Sequence, residues 1–392
     1  MLNQTFNPRE LKKLVTRDDI LKYKLGYSDV DVMNSITSIS YKVSQKEFEF
    51  REINKKKFKG RDVFTTNDRS EFLALKKLNS IIKKLYTVSY SNRNEILNQL
   101  IKIIEDGSDY KIIRADIRDF FDNVPRKKLI SKLKSDSLLG SLMINKLKQL
   151  DQCLTKLSCS TLPRGISLSS TLSEIYLRDF DQVIKNHNNV YYYARYVDDI
   201  VIVCLDEIGN IESLLKSNLD KLGLELNNKY KVIDSRFKTD NFDYLGVNFS
   251  FTSKGTSFSL SKNKVNKLKT RIIKSILDYK NNRDDNLLIN RIKFITGNYT
   301  IYTKTESNNL KAGIYYNNQY LNDFSQLNEL NEFLRKSLTA KKGSLSNVSR
   351  TIPRKVISSC MSQCFFKGYI EKKMVRFESR CMARIVRCWK NG

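Results

Sequence analysis

The sequence has few of the residues that bend, cross-link or punctuate a chain. Its 392 residues include four prolines, 14 glycines and a single histidine, His187. So few prolines and glycines leave no low-complexity linker, and one histidine excludes nuclease centres built on several imidazoles. No apolar run approaches the roughly 18 residues of a membrane span, and the N-terminal segment lacks an apolar signal core. We therefore expect a cytoplasmic protein with no membrane partner.

Cysteine is also scarce, and its pattern argues against disulfides. The count of seven is odd, which fits reduced thiols better than a disulfide framework. A zinc site can be drawn from Cys360, Cys364, Cys381 and Cys388, but their spacing matches no common zinc module. We interpret these four as small core residues.

Positive charge is what the chain has in excess. Seventy Lys and Arg stand against 42 Asp and Glu, which gives a formal net charge of +28. Such an excess repels itself unless a polyanion is near, and nucleic acid is the usual one. The 40% hydrophobic content and the length predict a substantial core in two or more lobes.

Hydrophobic patterning predicts an α+β fold with an antiparallel core. Residues 1 to about 105 favour basic helices, residues 110–250 alternate strand-like with helix-like segments, and helices return from about Ser261. The last 43 residues are strongly basic. Within them we predict a helix that has an apolar stripe beside a basic stripe. The apolar stripe consists of Met374, Phe377, Cys381, Ile385 and Cys388, and the basic stripe consists of Lys373, Arg376, Arg380, Arg384 and Arg387. The basic stripe favours phosphate contacts over a merely solvated face.

Two adjacent acids interrupt an apolar hairpin in YARYVDDIVIVC, Tyr193 to Cys204. Burying Asp198 or Asp199 without a cation costs several kcal/mol. The pairs Asp18-Asp19 and Asp284-Asp285 differ, because each precedes a predicted helix that acids in the first turn stabilise.

A third acid, Asp116, ends the apolar strand of RADIRDFFDNV. Asp116, Asp198 and Asp199 can therefore converge at the ends of neighbouring strands. Carboxylates in such an arrangement suit Mg²⁺, which binds one or two of them together with substrate phosphates. A bound Mg²⁺ would supply the positive charge that buried carboxylates need.

These motifs, in this order, resemble the palm motifs of reverse transcriptases. They are Asp116-x4-Phe121, Pro163-Arg164-Gly165 followed by SLSSTLSEIYL, Tyr196-Val197-Asp198-Asp199, LGLELNNKYKVI and FDYLGVNF. The resemblance extends from about Arg61 to Lys304. It implies a right-hand polymerase with helical fingers (1–109), an antiparallel palm (110–257), a helical thumb (258–345) and a basic helical extension (346–392).

The resemblance also implies a set of site residues. Asp116 and Asp198 would bind two Mg²⁺ ions, for which Mn²⁺ could substitute, with help from the Ile117 carbonyl and support from Asp199. Phe121 would lie under the sugar of the incoming dNTP, although a core phenylalanine is the alternative. Gly165 would let template and nucleotide approach the backbone, beside Arg164.

Further contacts follow from the same resemblance. Either Lys229 or Lys231 would act near the pyrophosphate, and the sequence does not decide between the two lysines. Arg61 and Arg69 would hold the triphosphate, with a solvated basic loop as the alternative. The nucleic-acid contacts would come from the hairpin and from one face of a thumb helix: Tyr196, Val197, Lys267, Arg271 and Lys274.

The Pro-Arg-Gly form resembles the bacterial abortive-infection and unknown-group enzymes of phage defence. This implies an RNA-directed DNA polymerase that works with an RNA template or noncoding RNA and dNTPs, makes DNA, and has a partner protein or copies of itself as further partners. The alternatives are a maturase-like RNA-binding scaffold that has lost catalysis, a template-independent, protein-primed DNA polymerase, and an RNA-dependent RNA polymerase.

Overall fold

The computed structural model describes residues 2–205, 208, 210–237, 240–253, 255–301 and 310–390. The chain divides into two compact units. The first comprises Met1–Ile96 and Lys111–Val232, and the second comprises Leu97–Tyr110 and Ile233–Gly392. Each unit has its own hydrophobic core.

The first unit contains most of the helices and strands that precede residue 232, with α5 and β6 crossing its boundaries. These elements are α1 (Pro8–Lys12), α2 (Arg17–Tyr23), α3 (Asp29–Ser44), β1 (Ile53–Phe58), β2 (Arg61–Thr66), α4 (Arg69–Leu85), α5 (Arg93–Ile104), β3 (Lys111–Asp116), α6 (Phe120–Asn123), α7 (Arg126–Ser135), α8 (Ser141–Lys156), α9 (Leu168–Lys185), β4 (Tyr192–Tyr196), β5 (Asp199–Cys204), α10 (Ile211–Leu222) and β6 (Lys231–Asp234).

The second unit contains two three-stranded sheets and a group of helices. Its elements are β7 (Asn241–Tyr244), β8 (Val247–Thr252), β9 (Gly255–Leu260), α11 (Lys262–Asn282), α12 (Asp285–Thr296), β10 (Asn298–Ile301), β11 (Leu310–Gly313), α13 (Ser325–Leu338), α14 (Ser344–Ser349), α15 (Arg354–Met361), α16 (Phe365–Ile370), β12 (Met374–Val375) and α17 (Ser379–Lys390). The sheet orders are β7-β8-β9 and β11-β10-β12.

Both of the isolated Asp-Asp pairs begin helices, as predicted. Thr16 caps α2 through a reciprocal capping box with Asp19, and Asp284 caps α12 by accepting a hydrogen bond from the Leu287 N–H. These carboxylates satisfy backbone donors that a helix start leaves unpaired. Among the described residues, they belong to no group of three potential metal ligands.

The central sheet of four strands has the order β4-β5-β3-β6. β3 and β4 both pair antiparallel with β5, whose residues Ile200 to Val203 are fully buried. The predicted antiparallel core is therefore confirmed, as is the α+β fold class. The sheet brings the C-terminal end of β3 beside the loop between β4 and β5.

A hairpin in the N-terminal region was not predicted. β1 and β2 pair antiparallel, and Phe58 opposes Arg61 across a loop of Lys59 and Gly60. Both loop residues have positive φ, +52° and +78°, as a tight two-residue hairpin turn requires. The lysine-rich β1 is mostly exposed, so its composition resembles a solvated basic patch more than a strand.

Of the four cysteines interpreted as core residues, Cys360 is buried, whereas Cys364, Cys381 and Cys388 are half-buried. All seven are free thiols, and Cys360 is fully buried in the second core. Burial raises the pKa of the Cys360 thiol to about 12, so this side chain stays protonated. Among the described helices, none is long and apolar enough to cross a membrane.

Candidate active site

The register of the central sheet brings three carboxylates together. Asp116, the last residue of β3, lies directly opposite Asp199, the first residue of β5. Asp198 precedes it in the hairpin loop, and its carbonyl accepts a hydrogen bond from the Ile117 N–H at 3.0 Å. One oxygen from each carboxylate lies within 4.8 Å of the others. In the described part of the chain, no other such group of three acidic, histidine or cysteine ligands occurs.

The loop that presents Asp198 contains only Val197 and Asp198, because Tyr196 pairs with Asp199. Val197 has φ +62°, a region that β-branched residues rarely occupy and that costs roughly 1–2 kcal/mol. Glycine or asparagine would fit this turn with less strain. The surrounding structure must therefore hold the loop in place.

Arg195 provides that support from β4. Its guanidinium donates to the Val197 carbonyl at 2.7 Å, to both oxygens of Asp181 at 2.8 and 2.7 Å, and to Glu174 at 2.7 Å. The residue is only 5% exposed. Arg195 therefore links the strained loop to α9, which carries both acids.

Sequence reasoning missed Arg195, although a signal was present. Glu174 and Asp181 are seven residues apart, which places them on one face of a helix two turns apart. An arginine inside an apolar strand requires acidic partners, because a buried charge is unstable alone. Glu174 and Asp181, on the helix that precedes β4, meet that requirement.

Burial and mutual repulsion raise the pKa of two of the clustered carboxylates. Burial is the largest cause for Asp198, and the negative charge of Asp116 raises that pKa further. Burial also raises the pKa of Asp199, which Arg114 opposes through an ion pair of 3.1 Å. In the charged form both groups cost folding free energy, and this cost vanishes as pH falls below the ordinary aspartate pKa.

Asp116 has its own set of donors. Asn227 donates from its side chain to Asp116 Oδ2 at 2.8 Å, and its backbone N–H donates to the Asp116 carbonyl at 2.7 Å. Lys229 Nζ lies 3.4 Å from the same Oδ2. Lys231 is the exposed first residue of β6. Of the two predicted lysines, the structure therefore brings Lys229 to the carboxylate cluster.

The donor set fits a divalent cation. Carboxylate oxygens are the ligands that Mg²⁺ and Mn²⁺ prefer, and burial, together with the neighbouring carboxylates, raises the pKa of Asp198 and Asp199. Lys229 and Arg114 each contact only one of the acids. Asp116, Asp198 and Asp199 are the residues that would hold the metal.

A cavity of about 440 Å³ lies beside the hairpin loop. Phe121 forms part of its wall, whereas the neighbouring Phe120 is 1% exposed and belongs to the core. The other lining residues are mainly hydroxyl and amide side chains: Asn79, Tyr90, Ser91, Ser167, Ser170, Ser173, Glu174, Tyr196 and Val197. Phe121 is thus placed where it can contact a bound molecule.

Two arginines predicted to contact the nucleotide, Arg61 and Arg164, pair with acids close to Phe121 in the sequence. Arg164 donates to both oxygens of Asp122 at 3.2 and 2.9 Å, and its guanidinium lies 5.4 Å from the Phe121 ring centre. Arg61 Nη2 lies 3.1 Å from Asp119 Oδ1. Arg69 is the exposed first residue of α4. The structure therefore brings Arg61 and Arg164 towards Phe121.

Gly165 is required by packing inside the protein. Its φ is +91°, and a Cβ there would lie 2.6 Å from the Phe64 carbonyl oxygen. The preceding Arg164 carbonyl accepts a hydrogen bond from the Phe64 N–H at 2.7 Å. Only glycine allows this loop to approach β2 so closely.

The predicted nucleic-acid contacts on α11 differ in exposure. Lys267 is exposed, whereas Arg271 and Lys274 are half-buried. Trp389 of α17 donates from Nε1 to the Arg271 carbonyl at 3.1 Å, and the Arg271 guanidinium lies 5.4 Å from its ring. The second unit therefore partly covers this helix face with its own C-terminal helix.

The prediction of one continuous helical stripe from Lys373 to Arg387 is wrong. Met374 and Val375 form β12, which pairs in parallel with Asn298 and Tyr299 of β10, and α17 begins only at Ser379. Backbone pairing with a strand distant in sequence overrides the helical periodicity of this segment.

The remaining basic residues of that stripe fall into separate places. Arg376 is exposed before α17, and Arg384 and Arg387 are exposed on it. Arg384 Nη2 also lies 2.6 Å from Asp284 Oδ2. The Arg380 side chain lies outside the described residues.

Replacing Asp198 with Asn should stabilise the metal-free protein. At neutral pH and in EDTA, we expect Asp198→Asn to melt at a higher temperature than the wild type, because a charge with a raised pKa is removed. The difference should disappear near pH 4, where the ordinary aspartate is about half protonated. Added Mg²⁺ should raise the melting temperature of the wild type only. A variant that melts lower in EDTA at neutral pH would contradict this electrostatic account.

Arg195→Lys should lower stability, because an ammonium is a compact group without the planar fork by which Arg195 reaches Val197, Glu174 and Asp181. Breaking a buried ion pair costs on the order of 3–5 kcal/mol, which chemical denaturation would measure. Metal affinity should fall as well, since the Asp198 loop loses its anchor. Arg236→Lys, in an exposed pair with Asp234, is the control. Equal effects of the two changes on metal affinity would argue against this role of Arg195.

Comparison with known proteins supports one family. The model of the reverse transcriptase (RNA-dependent DNA polymerase) family matches residues 53–249. Among solved structures, the chain is similar to apo telomerase from Candida tropicalis truncated from its C-terminal domain, at 12% identity and a TM-score of 0.39. That match covers 53% of this chain and 54% of the telomerase chain, so this chain spans about half the length of that relative. No curated protein sequence matches.

The family match covers just over half of the chain and extends from β1 into the first half of β8. It contains all three carboxylates of the cluster, the cavity residue Phe121 and the lysine at Asp116. The chain belongs to the reverse transcriptase (RNA-dependent DNA polymerase) family.

Proposed function

We propose that the protein is an RNA-directed DNA polymerase that adds deoxynucleotides to a primer end. The observation that carries this proposal is the convergence of Asp116, Asp198 and Asp199 within 4.8 Å. An RNA-binding scaffold without catalysis would have no need to maintain such a repulsive cluster. Family membership alone would not distinguish these two functions.

Asp116 and Asp198 would hold two divalent cations, Mg²⁺ or Mn²⁺, with the Ile117 carbonyl and Asp199 in supporting roles. When bound, such ions activate an attacking oxygen and stabilise a leaving one. Arg114 would keep one oxygen of Asp199 engaged, since the pair is 3.1 Å apart. Asn227 and Lys229 would fix the orientation of the Asp116 carboxylate.

The surrounding residues would select and orient the nucleotide. Phe121 would contact the sugar from the cavity wall, and Arg61 and Arg164 would exchange their aspartate partners for phosphate oxygens. Arginine suits that exchange because its fork binds two oxygens at once. Lys229 would hold a proton close to the departing pyrophosphate, since it is the lysine at Asp116.

For the biological role, we propose antiphage defence in a bacterial cytoplasm, with a structured noncoding RNA as template or partner. The Pro163-Arg164-Gly165 form supports this subgroup through its sequence resemblance. The formal charge of +28 supports a nucleic-acid partner. A partner protein or further copies of the chain complete the proposed set of partners.

Primer extension tests the polymerase proposal directly. The wild type should add dNTPs to a DNA primer on an RNA template in Mg²⁺, and Asp116→Asn should lower the rate by at least about a hundredfold, or about 2.7 kcal/mol. RNA binding should remain, because the basic surfaces are unchanged. Asp18→Asn, an exposed aspartate on α2, is the matched control.

Three outcomes would point elsewhere. Unchanged extension by Asp116→Asn would contradict the assignment of the carboxylates. RNA binding without any extension by the wild type would favour the scaffold. Equal synthesis with the template omitted would favour the template-independent, protein-primed alternative.

Phe121→Val should admit ribonucleotides while keeping deoxynucleotide activity. A smaller side chain leaves room for the 2′-hydroxyl, and a gain of tenfold to a thousandfold in relative rNTP use corresponds to about 1.4–4 kcal/mol. Relative kcat/KM for matched dNTP and rNTP measures the change.

Phe120→Val is the matched control for this substitution. Phe120 is buried, so its truncation should cost a few kcal/mol of stability and lower both activities together. If Phe121→Val behaves like Phe120→Val, with an unchanged substrate ratio, Phe121 is structural.

A further inference from the structure

A pair of tyrosines in the second unit lies under two lysines. Tyr315 and Tyr316 follow β11, and their rings meet edge to face with centres 5.2 Å apart. Lys372 Nζ lies 4.5 Å from the centre of the Tyr315 ring, and Lys311 Nζ lies 5.5 Å from that of Tyr316. Both rings are half-exposed and both lysines are exposed. We call these four residues the tyrosine platform.

Buried hydrogen bonds fix the backbone under the platform. Asn298 is fully buried, and its side chain accepts from the Tyr315 N–H at 2.8 Å. The same side chain donates to the carbonyls of Gly368 and Lys373 at 2.8 and 3.3 Å. The segments that carry Tyr315 and Lys372 are therefore both attached to β10, which makes the platform a preorganised surface.

Lys372 occupies a backbone conformation that is unfavourable for lysine. Its φ is +51°, just after the end of α16. Glycine is the usual residue at such a position, and a side chain there costs roughly 1–2 kcal/mol. Backbone strain of this kind is often retained for function, and here it places an ammonium group over the Tyr315 ring.

The charge around the platform is strongly positive. The chain segment around Lys372, residues 367–376, has four cations and one acid. The cations are Lys367, Lys372, Lys373 and Arg376, and the acid is Glu371. Lys264 of α11 contacts the turn after Tyr316 through the Asn317 carbonyl at 3.3 Å. The surface therefore joins aromatic faces with cations from several chain segments.

We propose that the tyrosine platform binds single-stranded nucleic acid. Bases stack on aromatic rings with about 1–3 kcal/mol each, while neighbouring cations follow the phosphates. A base would displace a lysine from a ring face, and that lysine would then contact the adjacent phosphate. Duplex bases are already stacked, and an acidic peptide lacks bases to stack, so neither matches both features of the surface.

Fluorescence anisotropy of the full-length protein with oligo(rU), oligo(dT) and an abasic strand of equal length tests this proposal. EDTA and the absence of dNTPs separate binding from the proposed polymerase activity. Tyr316→Leu should weaken binding of the base-bearing strands about 5- to 100-fold and leave the abasic strand nearly unchanged. The two base-bearing strands show whether RNA or DNA is preferred.

A second variant separates binding from folding. Lys372→Gly should weaken binding of the base-bearing strands at least threefold, yet its melting temperature should stay equal or rise because the backbone strain is relieved. Lys24→Gly is the matched control, since Lys24 also has positive φ, +50°, after a helix and is exposed.

Three results would overturn the proposal. The first is equal binding by Lys372→Gly and Lys24→Gly. The second is that Tyr316→Leu weakens the binding of base-bearing and abasic strands equally. Binding would then rest on charge attraction alone, without base stacking. Competition by polyglutamate as effective as that by oligo(rU) would likewise show a general anion surface.

Discussion

The pairing of Asp116 with Asp199 across β3 and β5 is the constraint on which the rest of the site depends. It fixes the register that brings a third carboxylate, Asp198, to the same point. Three acids at one half-buried place repel each other, so the chain surrounds them with partial compensation from Arg114, Asn227 and Lys229. Burial is the largest cause that raises the pKa values of Asp198 and Asp199, and the neighbouring carboxylates add to it. A bound divalent cation would offset this cost of burying charge.

Much of this arrangement could be predicted from the sequence. Strand composition around Asp116 and Asp198 predicts two adjacent strand ends, and helix-start signals separate Asp19 and Asp284 from the functional acids. The structure shows that Phe120 is buried and that Phe121 lines the cavity while it also packs against the core, so the role of Phe121 stays a prediction. Local patterns carry information on strands and caps, whereas the choice between two adjacent aromatics depends on tertiary contacts.

Two of the differences share one physical origin, which is a partner supplied by another part of the chain. β12 looks helical by periodicity, but its backbone pairs with β10 more than 70 residues earlier. Arg195 reads as an isolated charge in a strand until α9 supplies its two acids. In both cases a partner from another element overrides the local preference. β1 differs, because it pairs with the adjacent β2 across a two-residue loop, and its exposed lysines hide the strand pattern.

Manganese binding measured by electron paramagnetic resonance tests the central claim, that the carboxylate cluster is a cation site. At neutral pH the wild type should show saturable Mn²⁺ binding that Mg²⁺ displaces. Asp116→Asn should weaken that binding by at least about tenfold, or 1.4 kcal/mol, while Asp18→Asn leaves it unchanged. Equal Mn²⁺ affinity in Asp116→Asn and the wild type would show that the cluster is not held together for a metal.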